Sequence, residues 1–156
     1  MTFPTDEDYI KALLKERHKR IFLVEDDQVI RDVLGIIAAK HDCEFSSFAT
    51  GQAALDAIRE NPPDKLFLDI GLPDMDGVDL FRYALAEHPE MDVVVISGLL
   101  DEHTRHRISE VGFALYLDKP PKLERLYKVF RTLSIPLKEG EKMPSTAAPF
   151  CGYCEE

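Results

Sequence analysis

No apolar run in the chain exceeds five residues, which excludes a membrane-spanning helix of about 20. The first 19 residues are charged and lack the apolar stretch of a secretory signal. The expected location is therefore cytoplasmic, with no membrane partner. The chain also has no basic stripe. Its formal net charge is −10, and the acidic excess continues through both the central region and the C-terminal tail. Direct nucleic-acid binding, which draws on clustered Lys and Arg, is not expected on that ground. Cysteine is scarce: three residues, an odd count, do not make a secreted disulfide framework. No internal repeat is visible, so a solenoid is excluded.

What is present suits one soluble domain with tails. Hydrophobic residues make up 45% of the 156, enough for a single core. Short apolar runs alternate with segments of helical periodicity. Strands are expected at 20–25, 43–48, 65–69, 92–97 and 114–118. A first helix is expected after the cap Asp27, with apolar positions Val29, Ile30, Val33, Leu34 and Ile37; a second opens at Thr50-Gly51 and stops at Asn61-Pro62-Pro63; others are expected at about 77–88, with Asp76 as N-cap, 102–111 and 121–133. Five strands alternating with five helices imply a parallel α/β sheet with helices on both faces. An amphipathic helix is expected at 6–18, started by Thr5 and Asp8 and carrying Tyr9, Ile10, Leu13 and Leu14. The division is then an N-terminal helical extension at 1–19, a globular domain at 20–135 and a flexible tail at 136–156.

Five polar residues stand at or just past the ends of four of these runs. They are Glu25, Asp26, Asp69, Ser97 and Lys119. In open α/β sheets, sites lie beyond the carboxyl ends of the strands. Four strands would thus deliver three carboxylates, a hydroxyl and an ammonium to one place. Adjacent acids such as Glu25 and Asp26 repel each other unless a cation lies near, and a hard divalent ion takes oxygen ligands. Asp69 opens Asp-Ile-Gly-Leu-Pro-Asp-Met-Asp-Gly. The next helix starts only at Asp76-Gly77, so Asp69 is not needed as its cap and is free for chemistry. A carboxylate can carry a phosphoryl group as an acyl phosphate, provided cations offset the charge. Gly71 has no side chain, which lets its carbonyl approach a metal and lets water approach Asp69. Ser97 can cap the following helix or hydrogen-bond a phosphoryl oxygen. Pro120 fixes the backbone after Lys119, admits a cis peptide and aims the ammonium.

The runs Ile-Phe-Leu-Val-Glu-Asp-Asp-Gln-Val-Ile-Arg, Leu-Asp-Ile-Gly-Leu-Pro-Asp-Met-Asp-Gly, Val-Val-Val-Ile-Ser-Gly and Leu-Tyr-Leu-Asp-Lys-Pro occur in that order. Over about 20–133 the chain resembles the response-regulator receiver domains of two-component signalling, in particular the single-domain, chemotaxis-regulator-like members. The resemblance implies a flavodoxin-like, doubly wound five-stranded parallel sheet of order 2-1-3-4-5. It implies that Asp69 accepts a phosphoryl group from a sensor histidine kinase or a phosphotransfer protein. Glu25, Asp26, Asp69 and the Gly71 carbonyl would hold Mg²⁺. Ser97 would be the switch hydroxyl, Tyr116 the switch aromatic and Lys119 the phosphate clamp. The protein would be a monomer or weak homodimer that signals to a downstream protein, and it would catalyse only its own phosphorylation and dephosphorylation. Pro121 departs from the family, where an apolar or aromatic residue is usual, and it bears on how the last helix starts.

Several alternatives stay open at this level. A phosphate-independent pseudo-receiver would use the fold as a binding module, although all five site residues are intact. A phosphatase with an aspartyl-phosphate intermediate commonly needs a second acid two residues after the nucleophile, where Gly71 stands. Neither Gly71 nor Leu99 offers a polar group to orient an attacking water. The tail at 136–156 shows no DNA-binding or catalytic output segment but holds Cys151-Gly152-Tyr153-Cys154. Cys151 and Cys154 could form a redox pair, complete an intermolecular zinc site, or be incidental thiols on a solvated tail. The N-terminal helix could dock on the chain's own body or mediate dimerisation.

Overall fold

The computed structural model describes residues 3, 5–10, 19–98 and 100–144. Within these, ten elements alternate: β1 (Lys19–Val24), α1 (Gln28–Ala39), β2 (Cys43–Phe48), α2 (Gly51–Glu60), β3 (Lys65–Asp69), α3 (Gly77–Glu87), β4 (Asp92–Ser97), α4 (Glu102–Val111), β5 (Leu115–Asp118) and α5 (Leu123–Thr132). The five strands form one parallel sheet of order β2-β1-β3-β4-β5, the flavodoxin-like order expected.

Strand alternation divides the core into two layers. Ile21, Leu23, Phe67, Val94, Ile96 and Leu117 face one way, where α1 and α5 cover them with Leu34, Leu126 and Phe130. Phe22, Val24, Leu66, Leu68, Val93 and Val95 face the other way, against Ile58 of α2, Phe81 of α3 and Ile108 of α4. The central strands are buried on both faces, which is why their sequences read as unbroken apolar runs. β2, at one edge, has only intermediate and exposed positions.

Helix starts follow local chemistry. Asp27, Thr50, Asp76 and Asp101 each accept a backbone N–H from the first turn of the helix they precede. α5 differs: Lys122 is its N-cap and makes no side-chain cap bond, so the helix begins two residues later than the expected 121. Pro121 disfavours a helical Pro120, and the helix forms only once the two prolines have passed. The Lys119–Pro120 peptide is cis.

Residues 136–138 are bonded to the end of α1 and the turn after it. Asp42 N–H donates to the Pro136 carbonyl (2.8 Å), Lys138 N–H donates to the Lys40 carbonyl (2.9 Å), and His41 and Leu137 form an antiparallel bridge. Leu133 and Ile135 are buried and Leu137 packs on the same layer. Apolar residues at alternate positions carry the packing past the last helix, and helical periodicity does not signal this. Cys43 is half-buried. Burial pushes its thiol up to about 11, and it donates to the Ala38 carbonyl.

Residues 6–10 are helical, and Thr5 and Asp8 exchange the reciprocal cap bonds expected of them. Tyr9 and Ile10 are exposed. Leu13, Leu14, Leu99, Cys151 and Cys154 lie outside the described residues, and so do the remainder of the expected N-terminal helix and most of the tail. Among the described residues no helix is long and apolar enough to cross a membrane.

Candidate metal and phosphoryl site

Strand register sets the level of each functional residue. Val24 pairs with Leu68, so Glu25 and Asp69 come off neighbouring strands at the same height. Asp69 pairs with Ile96, which places Ser97 one residue further along the next strand. Ser97 pairs with Asp118, and Lys119 follows at once, its N–H bonded to the Ser97 carbonyl at 3.1 Å. The four strand ends therefore converge because three adjacent ladders are in step.

Three acids and one lysine meet there. Carboxylate oxygens of Glu25, Asp26 and Asp69 all lie within 4.8 Å of one another. Lys119 Nζ lies 2.9 Å from Glu25 Oε2 and 3.0 Å from Asp69 Oδ2, and it donates a hydrogen bond to Glu25 Oε1 at 3.1 Å. Glu25 is wholly buried and Asp69 nearly so, whereas Asp26 is exposed. The two halves of the Glu25-Asp26 pair thus occupy different environments. Glu25 Oε1 also accepts the Asp27 N–H, and the Arg31 guanidinium donates to the Glu25 carbonyl at 2.7 Å. Arg31 was not expected at the site, and its only signal is a cation in the first turn of the helix after the acidic pair. Gly71 N–H donates to Asp69 Oδ1 at 3.0 Å. A Cβ at Gly71 would stand 3.8 Å from that same oxygen, an ordinary van der Waals contact.

Ser97 and Tyr116 sit beside this cluster. By strand alternation Ser97 follows Val93 and Val95 onto the α2–α4 side of the sheet, where Tyr116 also packs. Both are half-buried, and the Arg105 guanidinium lies 5.4 Å from the centre of the Tyr116 ring. A hydroxyl at a strand end and an aromatic one strand over therefore share the layer that carries α4.

The charges do not balance. Burial, foremost, pushes the Glu25 carboxyl up to about 7, reinforced by the nearby charge of Asp69 and opposed by Lys119 and the Asp27 N–H. Burial also penalises the Lys119 ammonium, but hydrogen bonds and charge from Glu25 and Asp69 outweigh this and hold it above the usual lysine range. Although Glu25 Oε2 is 2.9 Å from Lys119, it is not aligned as a hydrogen-bond acceptor, and no other described donor reaches it. A buried carboxylate oxygen without a donor, beside two further acids, fits a hard divalent cation with oxygen ligands such as Mg²⁺. Glu25, Asp26, Asp69 and the Gly71 carbonyl are the groups that would hold it.

This imbalance gives stability a pH dependence. A carboxyl whose folded value exceeds its unfolded one holds its proton longer in the native state. Its contribution is present below the ordinary value of 4.5 and is lost as pH rises through about 7. Glu25→Gln is therefore expected to be more stable than wild type above pH 7 in metal-free buffer, by on the order of 2 kcal/mol. The gain should vanish near pH 4.5, and Mg²⁺ should stabilise the variant much less than wild type. Buried His41 slopes the other way, because burial lowers its value and acid then favours the unfolded chain; comparing the proteins at equal pH cancels it. Denaturant midpoints from pH 4.5 to 8.5 check this, and a constant difference across that range would contradict it.

Comparison with known proteins supports the same reading. A family model described as the response regulator receiver domain matches residues 21–131. The transcriptional regulatory protein CreB of Escherichia coli is 35% identical over 104 residues, covering 67% of this chain and 45% of CreB. A CheY-like response regulator receiver domain protein from Methanospirillum hungatei superposes with a TM-score of 0.69 at 28% identity, covering 74% of this chain and 94% of that one. NtrX from Brucella abortus, crystallised in complex with ATP, superposes with a TM-score of 0.65 at 32% identity, over 74% of this chain and 27% of NtrX. This chain thus spans less than half of CreB, and the matched region is the one whose strands deliver Glu25, Asp69 and Lys119. With the model covering most of its length, the chain belongs to the response-regulator receiver domain family.

Proposed function

We propose that this domain is a phosphorylation-controlled signalling switch that takes a phosphoryl group onto Asp69 from a phosphohistidine of a sensor histidine kinase or phosphotransfer protein. A carboxylate oxygen of Asp69 would attack phosphorus. The P–N bond to the donor imidazole would break, the imidazole keeping the bonding electrons, and an acyl phosphate would form. The observation that carries this reading is the position of Asp69: at a strand end, nearly buried, 3.0 Å from Lys119 and within reach of two further acids.

Each residue then has a definite task. Gly71 N–H fixes the rotamer of Asp69 through Oδ1, leaving Oδ2 toward Lys119. Lys119, which bridges Glu25 and Asp69 before phosphorylation, offers its ammonium to the incoming phosphoryl oxygens. Mg²⁺, held by the three acids and the Gly71 carbonyl, would neutralise charge between nucleophile and donor. Ser97 would hydrogen-bond a phosphoryl oxygen, and its movement would reach Tyr116 on the same layer. The output is a changed surface recognised by another protein. The domain acts on no other substrate; it promotes only its own phosphorylation and dephosphorylation.

Incubation with a panel of autophosphorylated histidine kinases and with acetyl phosphate, in the presence of Mg²⁺, tests this reading. One acid-stable, base-labile phosphoryl group per chain is expected. Absence of labelling by every donor, together with Mg²⁺-independent binding to a protein partner, would replace the switch by a phosphate-independent binding module.

A further inference from the structure

The loop between β3 and α3, residues 70–76, runs from the nucleophile to the next helix and contains Gly71. At its base it is closed tightly. Gly77 N–H donates to the Ile70 carbonyl at 3.0 Å, and a Cβ at Gly77 would come within 2.6 Å of Ile70 Cα and 2.7 Å of the Asp69 carbonyl. Its far end is attached to a different element. The two Asp74 carboxylate oxygens accept the N–H groups of Gly51 (2.8 Å) and Gln52 (2.9 Å), the first two residues of α2. Those donors have no partner inside the helix, and an anion is favoured at that end. Met75 closes over the same place: a Cβ at Gly51 would fall 2.5 Å from Met75 Cγ.

α2 already has a cap of its own, since Thr50 Oγ1 accepts from Ala53 N–H at 3.2 Å. The helix is thus held by two side chains, one adjacent in sequence and one reaching in from the loop that follows the nucleophile. We propose that Asp74 is a positioning residue for the metal site: by tying residues 70–76 to the first turn of α2, it holds Gly71 beside Asp69 in the arrangement that Mg²⁺ requires. The role rests on the reading of the pocket as a Mg²⁺ site. Its physical basis is preorganisation. A tied loop has already lost its backbone freedom in folding, whereas a free loop loses it when the metal binds, and affinity falls.

Mg²⁺ binding without any phosphodonor tests the role, read by titration calorimetry and by the rise in Tm with Mg²⁺. Asp74→Ala is expected to weaken Mg²⁺ binding about 10-fold. At saturating Mg²⁺, its phosphorylation rate from acetyl phosphate should stay within about two-fold of wild type, because Asp74 touches no reacting atom. Asp74→Asn keeps an acceptor oxygen but no charge, and should lie closer to wild type than to Asp74→Ala. Thr50→Ala removes the other cap of the same helix, so it should lower Tm without changing Mg²⁺ affinity. If Asp74→Ala does not fold, Met75→Ala loosens the same tie without altering charge and takes its place.

Wild-type affinity in Asp74→Ala would overturn the role. Equal loss in Asp74→Asn and Asp74→Ala would assign the effect to charge, and equal loss in Thr50→Ala would assign it to helix capping in general; either result also overturns it. Failure of wild type itself to bind Mg²⁺ would overturn the pocket reading on which the role stands.

Discussion

Asp69→Asn is expected to reduce phosphorylation by acetyl phosphate or a histidine kinase to background while leaving the fold intact. The amide oxygen can still accept the Gly71 N–H, so the loop geometry is kept. The amide has no anionic oxygen to attack phosphorus, and no other described acid in the cluster has the same placement. Asp26 is exposed, and Glu25 is wholly buried against Lys119. The same substitution removes one of three anionic ligands, so Mg²⁺ binding should weaken by about 10-fold or more. It also removes a charge that raises Glu25, so the Glu25 carboxyl should fall toward its ordinary value. Mass spectrometry after incubation with donor and Mg²⁺ measures the first effect, and thermal unfolding with and without Mg²⁺ measures the second. Undiminished labelling of Asp69→Asn would move the nucleophile elsewhere.

Lys119→Ala is expected to uncouple phosphorylation from the conformational response and to destabilise the metal-free protein in a pH-dependent way. Lys119 contacts both buried acids, so its removal leaves two carboxylates without their cation. Breaking a buried pair from one side costs about 3–5 kcal/mol when the remaining charge cannot escape. Glu25 can escape by taking a proton, because burial already pushes it up to about 7. The loss should therefore be small at pH 5 and should grow through neutrality, with Mg²⁺ restoring much of it. In the phosphorylated state the missing ammonium removes a charge-assisted hydrogen bond worth roughly 1.5–3 kcal/mol. That amounts to about a 10- to 100-fold shift in a two-state equilibrium. Chemical shifts or hydrogen exchange around Ser97 and Tyr116, compared with and without a fluoroberyllate mimic, would read the response. A full wild-type response in Lys119→Ala would remove the lysine from the switch.

Much of this protein is legible in its local chemistry. Periodicity located the strands 65–69 and 92–97, because a parallel strand buried on both faces must be written as a short apolar run. Asp27, Thr50 and Asp76 announced helix starts, because orphan N–H groups need an acceptor at a set distance along the chain. The acids, the hydroxyl and the lysine at the ends of those runs were visible as a group, because parallel strands all end on the same side.

Other features depend on residues far apart in sequence. The difference between buried Glu25 and exposed Asp26 is invisible in a dipeptide; Glu25 meets Lys119 from a distant strand end, and Asp26 faces solvent. The placement of Ser97 with Tyr116, on the layer that carries α4, follows from the register of two adjacent strands. The attachment of 133–138 to the α1–α5 layer and to the turn after α1 came from three-dimensional contact, not from periodicity. Nothing in the local sequence marks Asp74, whose two oxygens accept from residues of α2 that lie 22 and 23 positions away in the chain. Which elements form, and which chemistry they can bring, follows from neighbours along the chain. Which acid is desolvated, which loop is tied down and which residues share a layer follow from burial and register, which are properties of contacts between distant segments.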